Sequence, residues 1–378
     1  MAQAERKYDL ASMTLSELTE YIISLGEPKY RAKQIFDWIN KGENYSGMKN
    51  VPAALKDKLI ADGAFIAGMK TERKQVSADG TVKYLFSADD GEKIESVLMS
   101  YKHGHTICIS SEAGCAMGCK FCASTLGGLS RRLLPSEMLM QVIMAQKDAG
   151  ERISNIVLMG IGEPLDNYDN VLKFLRLVGS PDSLNIGYRH ISLSTCGIVD
   201  KIEKLADEGL PITLSVSLHA YDDETRSALM PINKKWCIAE LLSACGRYFA
   251  KTGRRISFEY TLIAGKNDSE GGAKKLARVL KTYCGDMPLH VNLIPVNNVT
   301  ERGLLPSSRE GAERFAAILE GEHITATIRR KLGSDMADSV TGGGLHGYRR
   351  LLRSAPRKGG KELIPDILKG KAFYGIFW

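Results

Sequence analysis

The sequence predicts an α/β fold, an open partial (β/α)6 barrel of the TIM type with a small N-terminal helical domain and an edge hairpin. The main observation is that six apolar strands alternate with six amphipathic helices from about residue 105 onward, a pattern typical of a parallel sheet flanked by helices. A closed barrel needs eight such units, so six leave it open. The chain has 378 residues, 44% of them hydrophobic, which is enough for one large domain and a smaller one.

Residues 1–75 are predicted to form an N-terminal helical accessory domain. Thr14 and Glu17 match a capping box that opens the first helix, which ends at Gly26. A second helix follows Pro28, and a third covers about 52–61. The basic character of this domain suits either a nucleic-acid accessory module or a simple cap, and the sequence favours neither.

The edge hairpin is predicted from strands at 81–86 and 93–99, joined by a turn that contains Asp90 and Gly91. Glu95 lies inside the second strand. A carboxylate on an alternating strand usually faces solvent, so without further information we expect Glu95 at the surface.

The β/α region is assigned to residues 76–345, including the hairpin. Its strands are predicted at 105–110, 153–160, 190–195, 212–219, 255–263 and 288–297, with a seventh at 324–330 along one edge. Its helices are predicted near 136–149, 168–179, 198–208, 236–251, 269–283 and 308–320. Residues 346–378 form a predicted basic C-terminal tail, because 346–361 contain six Arg or Lys and no acidic residue.

The net charge of +7 permits a polyanionic partner but does not require one. The first ten residues lack the apolar segment of a secretion signal. No apolar run approaches the roughly 18 residues that span a bilayer. We therefore expect a cytoplasmic protein that does not contact a membrane. We also expect a monomer, although no feature of the sequence determines the oligomeric state.

Cys115, Cys119 and Cys122 form a C-x3-C-x2-C motif. Thiolates are soft ligands, and three of them on one loop suit a four-iron cluster that leaves one iron open to a ligand. A closed zinc site that adds Cys108, His103 or His105 is the alternative. Structural zinc sites usually pair two short ligand clusters, and the sequence contains no second one.

Ligands of parallel β/α folds bind at the carboxyl ends of the strands. Polar or glycine residues occur at several of these ends, at Gly162, Glu163, Ser194, Thr195, Ser217, His219 and Asn297. Taken singly, the glycine segment suits an ordinary turn and His219 an ordinary core histidine. Their recurrence beside the cysteine loop predicts one ligand site.

The cysteine motif at the first strand end resembles that of the radical S-adenosylmethionine superfamily. Segments 25–36, 108–115, 159–165, 217–220 and 230–235 are similar to the RlmN/Cfr family. The resemblance implies a [4Fe–4S] cluster and S-adenosylmethionine, cleaved to a 5′-deoxyadenosyl radical. It also implies methylation of adenine in large-subunit ribosomal RNA, at carbon 2 by default and carbon 8 otherwise. A second substrate would be tRNA, and a flavodoxin or ferredoxin would donate electrons.

The resemblance assigns roles by position. It implies cluster ligation by Cys115, Cys119 and Cys122. Glu95 matches the family's proton acceptor, and Cys108 matches a thiol near the substrate adduct, although a small buried strand residue would suit that position equally. The implied S-adenosylmethionine contacts are Gly162, Glu163, Ser194, Ser217, Leu218, His219 and Asn297.

Val340 departs from the family pattern. It occupies the position of the cysteine that carries the methyl group, and no cysteine follows Cys284. Valine has no nucleophile. This leaves two alternatives, a radical enzyme without the cysteine methyl shuttle and a catalytically silent RNA- or ribosome-binding homologue. The loss of similarity after this residue also permits a frameshift near residue 338.

Overall fold

The computed structural model describes residues 6–102, 104–296, 303–330 and 332. The strands are β1 Tyr8–Asp9, β2 Ala64–Phe65, β3 Met69–Val76, β4 Val82–Ala88, β5 Lys93–Tyr101, β6 Gly104–Cys108, β7 Glu112–Gly114, β8 Leu129–Arg132, β9 Ile153–Leu158, β10 Ile191–Thr195, β11 Thr213–Ser217, β12 Ile256–Leu262, β13 His290–Pro295 and β14 Thr325–Ile328. The helices are α1 Leu15–Ser24, α2 Tyr30–Ile39, α3 Ala53–Ala61, α4 Pro135–Ala149, α5 Tyr168–Gly179, α6 Val199–Asp207, α7 Asp223–Leu229, α8 Ile238–Thr252, α9 Glu270–Cys284 and α10 Arg309–Gly321.

Ten of these strands form one sheet, in the spatial order β14-β13-β12-β11-β10-β9-β6-β5-β4-β3. Strands β6 and β9 to β14 are parallel. This arrangement confirms the predicted α/β fold with an open, partial barrel. The seventh predicted strand is β14, which pairs with β13 at one edge.

The sheet is buried because its parallel strands are apolar and helices cover them. Ile107, Leu193, Val216 and Phe258 on four of these strands are fully buried. Long helices follow β9, β10, β12 and β13. Short connections between strand and helix leave the carboxyl ends of the strands at one edge of the sheet, where the candidate site lies.

The antiparallel part of the sheet is larger than the predicted hairpin. Strands β4 and β5 pair as expected, but β3 pairs with β4 as an additional strand that the sequence analysis did not predict. Half of the residues in Met69–Val76 are charged and most are exposed, so the run lacks the apolar alternation by which strands are recognised. Helix α7 was also not predicted. The division into domains at residue 76 remains a prediction, and the tail at 346–378 lies outside the described residues.

The N-terminal helices begin as the sequence predicts. The Glu17 N–H donates to Oγ1 of Thr14 over 3.3 Å, and the Thr14 N–H donates to Glu17 Oε2 over 2.7 Å, which completes a capping box. Two further bonds connect the segment before α1 to the start of α4, since Ser136 donates from Oγ to Asp9 and from its backbone to Ser12. The helical region therefore packs directly on the β/α region. In the described part of the chain, no helix has the length and apolarity needed to cross a membrane.

Gln141 of α4 fixes the position at which the chain leaves β6. Its side chain accepts from the Ser110 N–H over 2.8 Å and donates to the Ser110 carbonyl over 2.9 Å. The hydroxyl of Ser96 on β5 donates to the same Gln141 oxygen over 2.7 Å. All three residues are buried, so these bonds satisfy backbone groups that water cannot reach.

Replacing Gln141 with leucine is expected to lower the free energy of unfolding by on the order of 2–4 kcal/mol, because two buried backbone groups of Ser110 lose their partners. Urea denaturation followed by circular dichroism measures the change. The control is Lys147→Leu on the same helix, whose exposed side chain forms only a surface ion pair with Glu43 and should matter by less than about 1 kcal/mol. Equal losses in the two variants would contradict this assignment.

Candidate active site

A cleft opens at the carboxyl ends of the parallel strands and contains about 750 Å³ of empty space, including its open mouth. Its walls bring together the cysteine loop and the ends of five strands. The lining residues are Cys115, Met117, Cys119, Phe121, Cys122, Ser124, Thr125, Leu158, Met159, Gly160, Gly162, Glu163, Pro164, Ser194, Thr195, Cys196, Ser217, His219, Met230, Glu259, Ile294 and Arg329. Eight of the twelve site residues that the resemblance implies therefore share one cleft.

Backbone hydrogen bonds at three points hold the cysteine loop. Strands β7 and β8 form a short hairpin around it, and the Cys115 N–H donates to the Gly128 carbonyl over 3.0 Å. The Lys120 N–H donates to the carbonyl of Leu229 on α7 over 2.8 Å, and the Cys122 N–H donates to the Cys119 carbonyl over 3.2 Å. The loop conformation is thus set by the backbone and leaves the three side chains to face the cleft.

The donor set suits a four-iron cluster. Burial raises the pKa of the Cys115 and Cys119 thiols, and neighbouring sulfur atoms raise it further, so a cationic metal core is needed to hold them as thiolates. Within the described residues, no three His, Cys, Asp or Glu side chains converge on a site for a single ion. A [4Fe–4S] cluster binds each thiolate at a different iron and does not require such convergence.

The zinc alternative gains no support from the position of His105. This histidine lies at the start of β6, where its ring contacts Glu151 and Ser100 over 2.8 and 3.0 Å. The cysteine motif follows the opposite end of that strand. His103, the other histidine considered, lies outside the described residues.

Two glycines allow the end of β9 to cross closely over the exit of β6. A Cβ atom at Gly162 would lie 2.6 Å from Cβ of Glu112, and the backbone there has a φ of +108° that favours glycine. A Cβ atom at Gly160 would lie 2.6 Å from the Ile109 carbonyl oxygen. A hydrogen bond joins the two segments at this crossing, since the Ile161 N–H donates to Ser110 Oγ over 3.0 Å.

Glu163 directly follows this crossing and lies in the cleft wall. Its Oε1 accepts from the Leu165 N–H over 2.9 Å, and its Oε2 accepts from the Cys196 N–H over 2.7 Å. Burial raises the pKa of this carboxyl, and the two amides oppose that effect. The group links the ends of β9 and β10 and presents a carboxylate to any cationic ligand in the cleft.

The ends of β10 and β11 supply Ser194, Ser217 and His219. His219 has a φ of +56°, and its Nδ1 accepts from the Thr261 N–H over 2.8 Å. Burial lowers its pKa to about 3, so the ring is neutral and carries its proton on Nε2. The ring meets Phe121 of the cysteine loop edge-on at 4.7 Å between centroids.

Leu218, Glu95 and Cys108 are not among the cleft-lining residues. Leu218 is fully buried beside the cleft wall. Glu95 was expected at the surface from the strand pattern, but it is only 1% exposed, and Oε1 lies 3.3 Å from Nζ of Lys83. Cys108 packs with Val97 and Met99, and burial raises its pKa to about 12. Asn297 lies outside the described residues.

Two polar residues of this region, Glu259 and Arg226, were not predicted from the sequence. Glu259 on β12 lines the cleft and accepts from Asn292 Nδ2 over 2.8 Å. An acidic residue within an otherwise apolar strand was the signal that could have identified it. Arg226 of α7 is fully buried behind the cleft, and its strongly polar segment gave no sign of burial.

Comparison with known proteins matches two family models. The radical SAM superfamily model matches residues 109–276. A model described as the ribosomal RNA large subunit methyltransferase N-terminal domain matches residues 8–64. Together they cover the cysteine loop, most of the parallel strands and the N-terminal helices.

Several curated relatives are named probable dual-specificity RNA methyltransferase RlmN. The one from Alkaliphilus oremlandii is 51% identical over 332 residues, which span 87% of this chain and 95% of that protein. The one from Lachnoclostridium phytofermentans is 48% identical over 338 residues, 89% of this chain and 94% of that protein.

A solved structure agrees with these relatives. The crystal structure of a radical SAM methyltransferase from Sphaerobacter thermophilus superposes with a TM-score of 0.82 at 41% identity, covering 88% of this chain and 97% of that one. The chain therefore shares its fold with that protein over most of its length, at a level of sequence identity that indicates common descent. We conclude that the chain belongs to the RlmN-type family of radical S-adenosylmethionine methyltransferases.

Proposed function

We propose that the protein methylates carbon 2 of an adenosine in large-subunit ribosomal RNA, with tRNA as a second substrate. The observation that carries this proposal is the cleft itself, in which three cysteines face the polar ends of neighbouring strands. The names of the curated relatives, dual-specificity RNA methyltransferases, support RNA as the substrate.

Cys115, Cys119 and Cys122 would hold a [4Fe–4S] cluster, and S-adenosylmethionine would occupy the adjacent cleft. When bound, the cluster supplies the electron that cleaves S-adenosylmethionine into methionine and a 5′-deoxyadenosyl radical. The buried Glu163 carboxylate suits the ammonium group of the methionine portion. Gly162, Ser194, Ser217, Leu218, His219 and Asn297 are the further proposed contacts.

Glu95 is the proposed proton acceptor. Glu95 is 1% exposed, and its Oε1 lies 3.3 Å from Nζ of Lys83. A carboxyl group in such a place suits the transfer of a proton from the substrate, because bulk water is excluded from it. Cys108 is proposed to act as a thiol near the substrate adduct, from a position on the neighbouring strand β6.

The target base must leave its stack for carbon 2 to become accessible, as base-modifying enzymes require. We propose that an electron-transfer protein of the flavodoxin or ferredoxin class reduces the enzyme, which works as a monomer in the cytoplasm.

Val340 supports a second candidate function. The family mechanism first methylates a cysteine at this position, and valine cannot accept a methyl group. The second candidate is a radical enzyme that cleaves S-adenosylmethionine and abstracts hydrogen directly from its substrate. A silent RNA-binding homologue would do neither. Two measurements separate the three functions: methyl-adenine in cells that carry this gene as sole copy, and 5′-deoxyadenosine formed by the purified, anaerobically reconstituted protein. The first function yields both products, the second only 5′-deoxyadenosine and the third neither.

Replacing Cys115 with alanine is expected to reduce 5′-deoxyadenosine production at least 100-fold after anaerobic reconstitution, because the cluster loses one of three ligands. Chromatography measures the amount of 5′-deoxyadenosine, which is divided by the iron content of each protein sample. Cys237→Ala is the control, since that thiol lies outside the cleft at the start of α8. Undiminished cleavage by Cys115→Ala would refute the proposed cluster site.

Replacing Gly162 with alanine is expected to weaken S-adenosylmethionine binding at least tenfold, because the new Cβ would displace Glu112 and the neighbouring Glu163. Equilibrium dialysis on reconstituted protein measures the affinity. The control is Gly209→Ala, where φ is also positive, at +62°, but nothing lies within 4 Å of the added atom. Similar affinities for both variants would show that backbone strain, rather than the crossing, controls binding.

Replacing Val340 with cysteine alone is expected to leave adenine methylation at or near its starting level, because several residues that flank Val340 also differ from the family pattern around the methyl-carrying cysteine. Mass spectrometry of the target RNA measures the product. Strong methylation by this single variant would contradict the prediction, and resequencing codons 336–345 tests whether the segment is native.

A further inference from the structure

Arg226 is a fully buried cation whose side chain donates to neutral acceptors. Its Nε donates to the Leu218 carbonyl over 3.1 Å, and its Nη2 donates to the carbonyls of Cys196 and Ser217 over 2.7 and 3.1 Å. Its Nη1 donates to Oδ1 of Asn233 over 3.0 Å. The guanidinium thus connects α7 to the ends of β10 and β11.

None of the salt bridges in the described ranges of the chain includes Arg226. Asp223, one turn earlier on α7, accepts instead from Asn233 Nδ2 over 3.0 Å and from the Ile238 N–H over 2.8 Å. Burial lowers the pKa of Arg226, but a guanidinium keeps its proton in proteins. Carbonyl dipoles satisfy the hydrogen bonds of this group, yet its net charge is not neutralised by a bonded carboxylate.

The cation lies directly behind the cysteine loop. The carbonyl of Leu229, at the end of the same helix, holds the loop through the Lys120 N–H. Cys196, whose carbonyl accepts the shortest Arg226 bond, lines the cleft together with Cys119. A Cβ atom at Gly197 would lie 3.4 Å from Nη2 of Arg226. The buried guanidinium charge of Arg226 therefore lies next to the cleft wall, on the side that faces away from solvent.

We propose that Arg226 is the counter-charge of the iron–sulfur cluster and favours its one-electron reduction. This inference rests on the proposed function. A [4Fe–4S] core of charge 2+ held by three thiolates has one net negative charge, and accepting one electron from a flavodoxin or ferredoxin makes it two. A fixed buried cation stabilises the more negative state more strongly, because screening in the interior is weak. Arg226 acts through this charge without touching the substrate, so it is a positioning residue.

The test is a redox titration of the reconstituted protein, monitored by the electron paramagnetic resonance signal of the reduced cluster. Arg226→Gln is expected to lower the equilibrium constant for reduction at least tenfold, which is about 59 mV for one electron. The matched control is Arg247→Gln on α8, an exposed arginine paired with Glu203, with less than a twofold change expected. Equal potentials in wild type and Arg226→Gln would overturn the inference.

A second variant keeps the inference testable if Arg226→Gln does not hold a cluster. Arg226→Lys preserves the charge but makes it titratable, because a buried ammonium loses its proton far more readily than a guanidinium. The equilibrium constant for reduction should then fall about tenfold as the pH rises from 6 to 10, beyond any change in wild type. A Lys variant whose potential follows the wild-type pH profile would overturn the inference.

The two proposals fail in different ways. If wild type binds no cluster after reconstitution, the proposed function is wrong and the inference falls with it. If wild type binds the cluster and cleaves S-adenosylmethionine while neither Arg226 variant shifts the potential as stated, only the role of Arg226 is wrong. Urea denaturation measures whether the variants are less stable than wild type. A loss of stability alone would not make the reduction potential of the Arg226→Lys variant depend on pH.

Discussion

The site depends on the hydrogen-bonded crossing between the exits of β6 and β9. The Gly160 N–H donates to Ile109, the N–H groups of Ser111 and Glu112 donate to the Ile161 carbonyl, and Ile161 donates to Ser110. The two chain segments that lead to the cysteine loop and to Glu163 are therefore fixed to each other by their backbones. Side-chain chemistry in the cleft can differ among relatives while this frame remains, because few of its bonds involve a side chain.

Much of the fold was predictable because the parallel strands are long apolar runs and the helices between them are amphipathic. The cleft was predictable for a related reason. Carboxyl ends of parallel strands meet at one edge, so Ser194, Ser217 and His219 had to lie near one another once the strand assignments were right. Periodicity and topology together placed residues that are far apart in sequence.

What could not be predicted is burial that opposes local polarity. Arg226 lies in a segment of aspartate, glutamate, threonine and serine that looks like a solvent-facing helix. Its burial is explained by acceptors elsewhere in the chain, namely the carbonyls at the ends of two distant strands and the side chain of Asn233. The burial of Glu95 has the same origin, since its partner Lys83 comes from the neighbouring strand. Such pairings depend on tertiary contacts, and a single sequence does not contain a periodic signal for them.

The extra edge strand β3 has a consequence for how the protein behaves at high concentration. An edge strand presents unpaired backbone groups that can pair with another copy of the sheet. Strand β3 contains few apolar residues, and its exposed side chains include Lys70, Glu72, Arg73 and Lys74. Dehydrating those charges would oppose the addition of a further strand. In the described part of the chain β3 is an outer strand of the sheet, and its exposed charges oppose self-association along that edge.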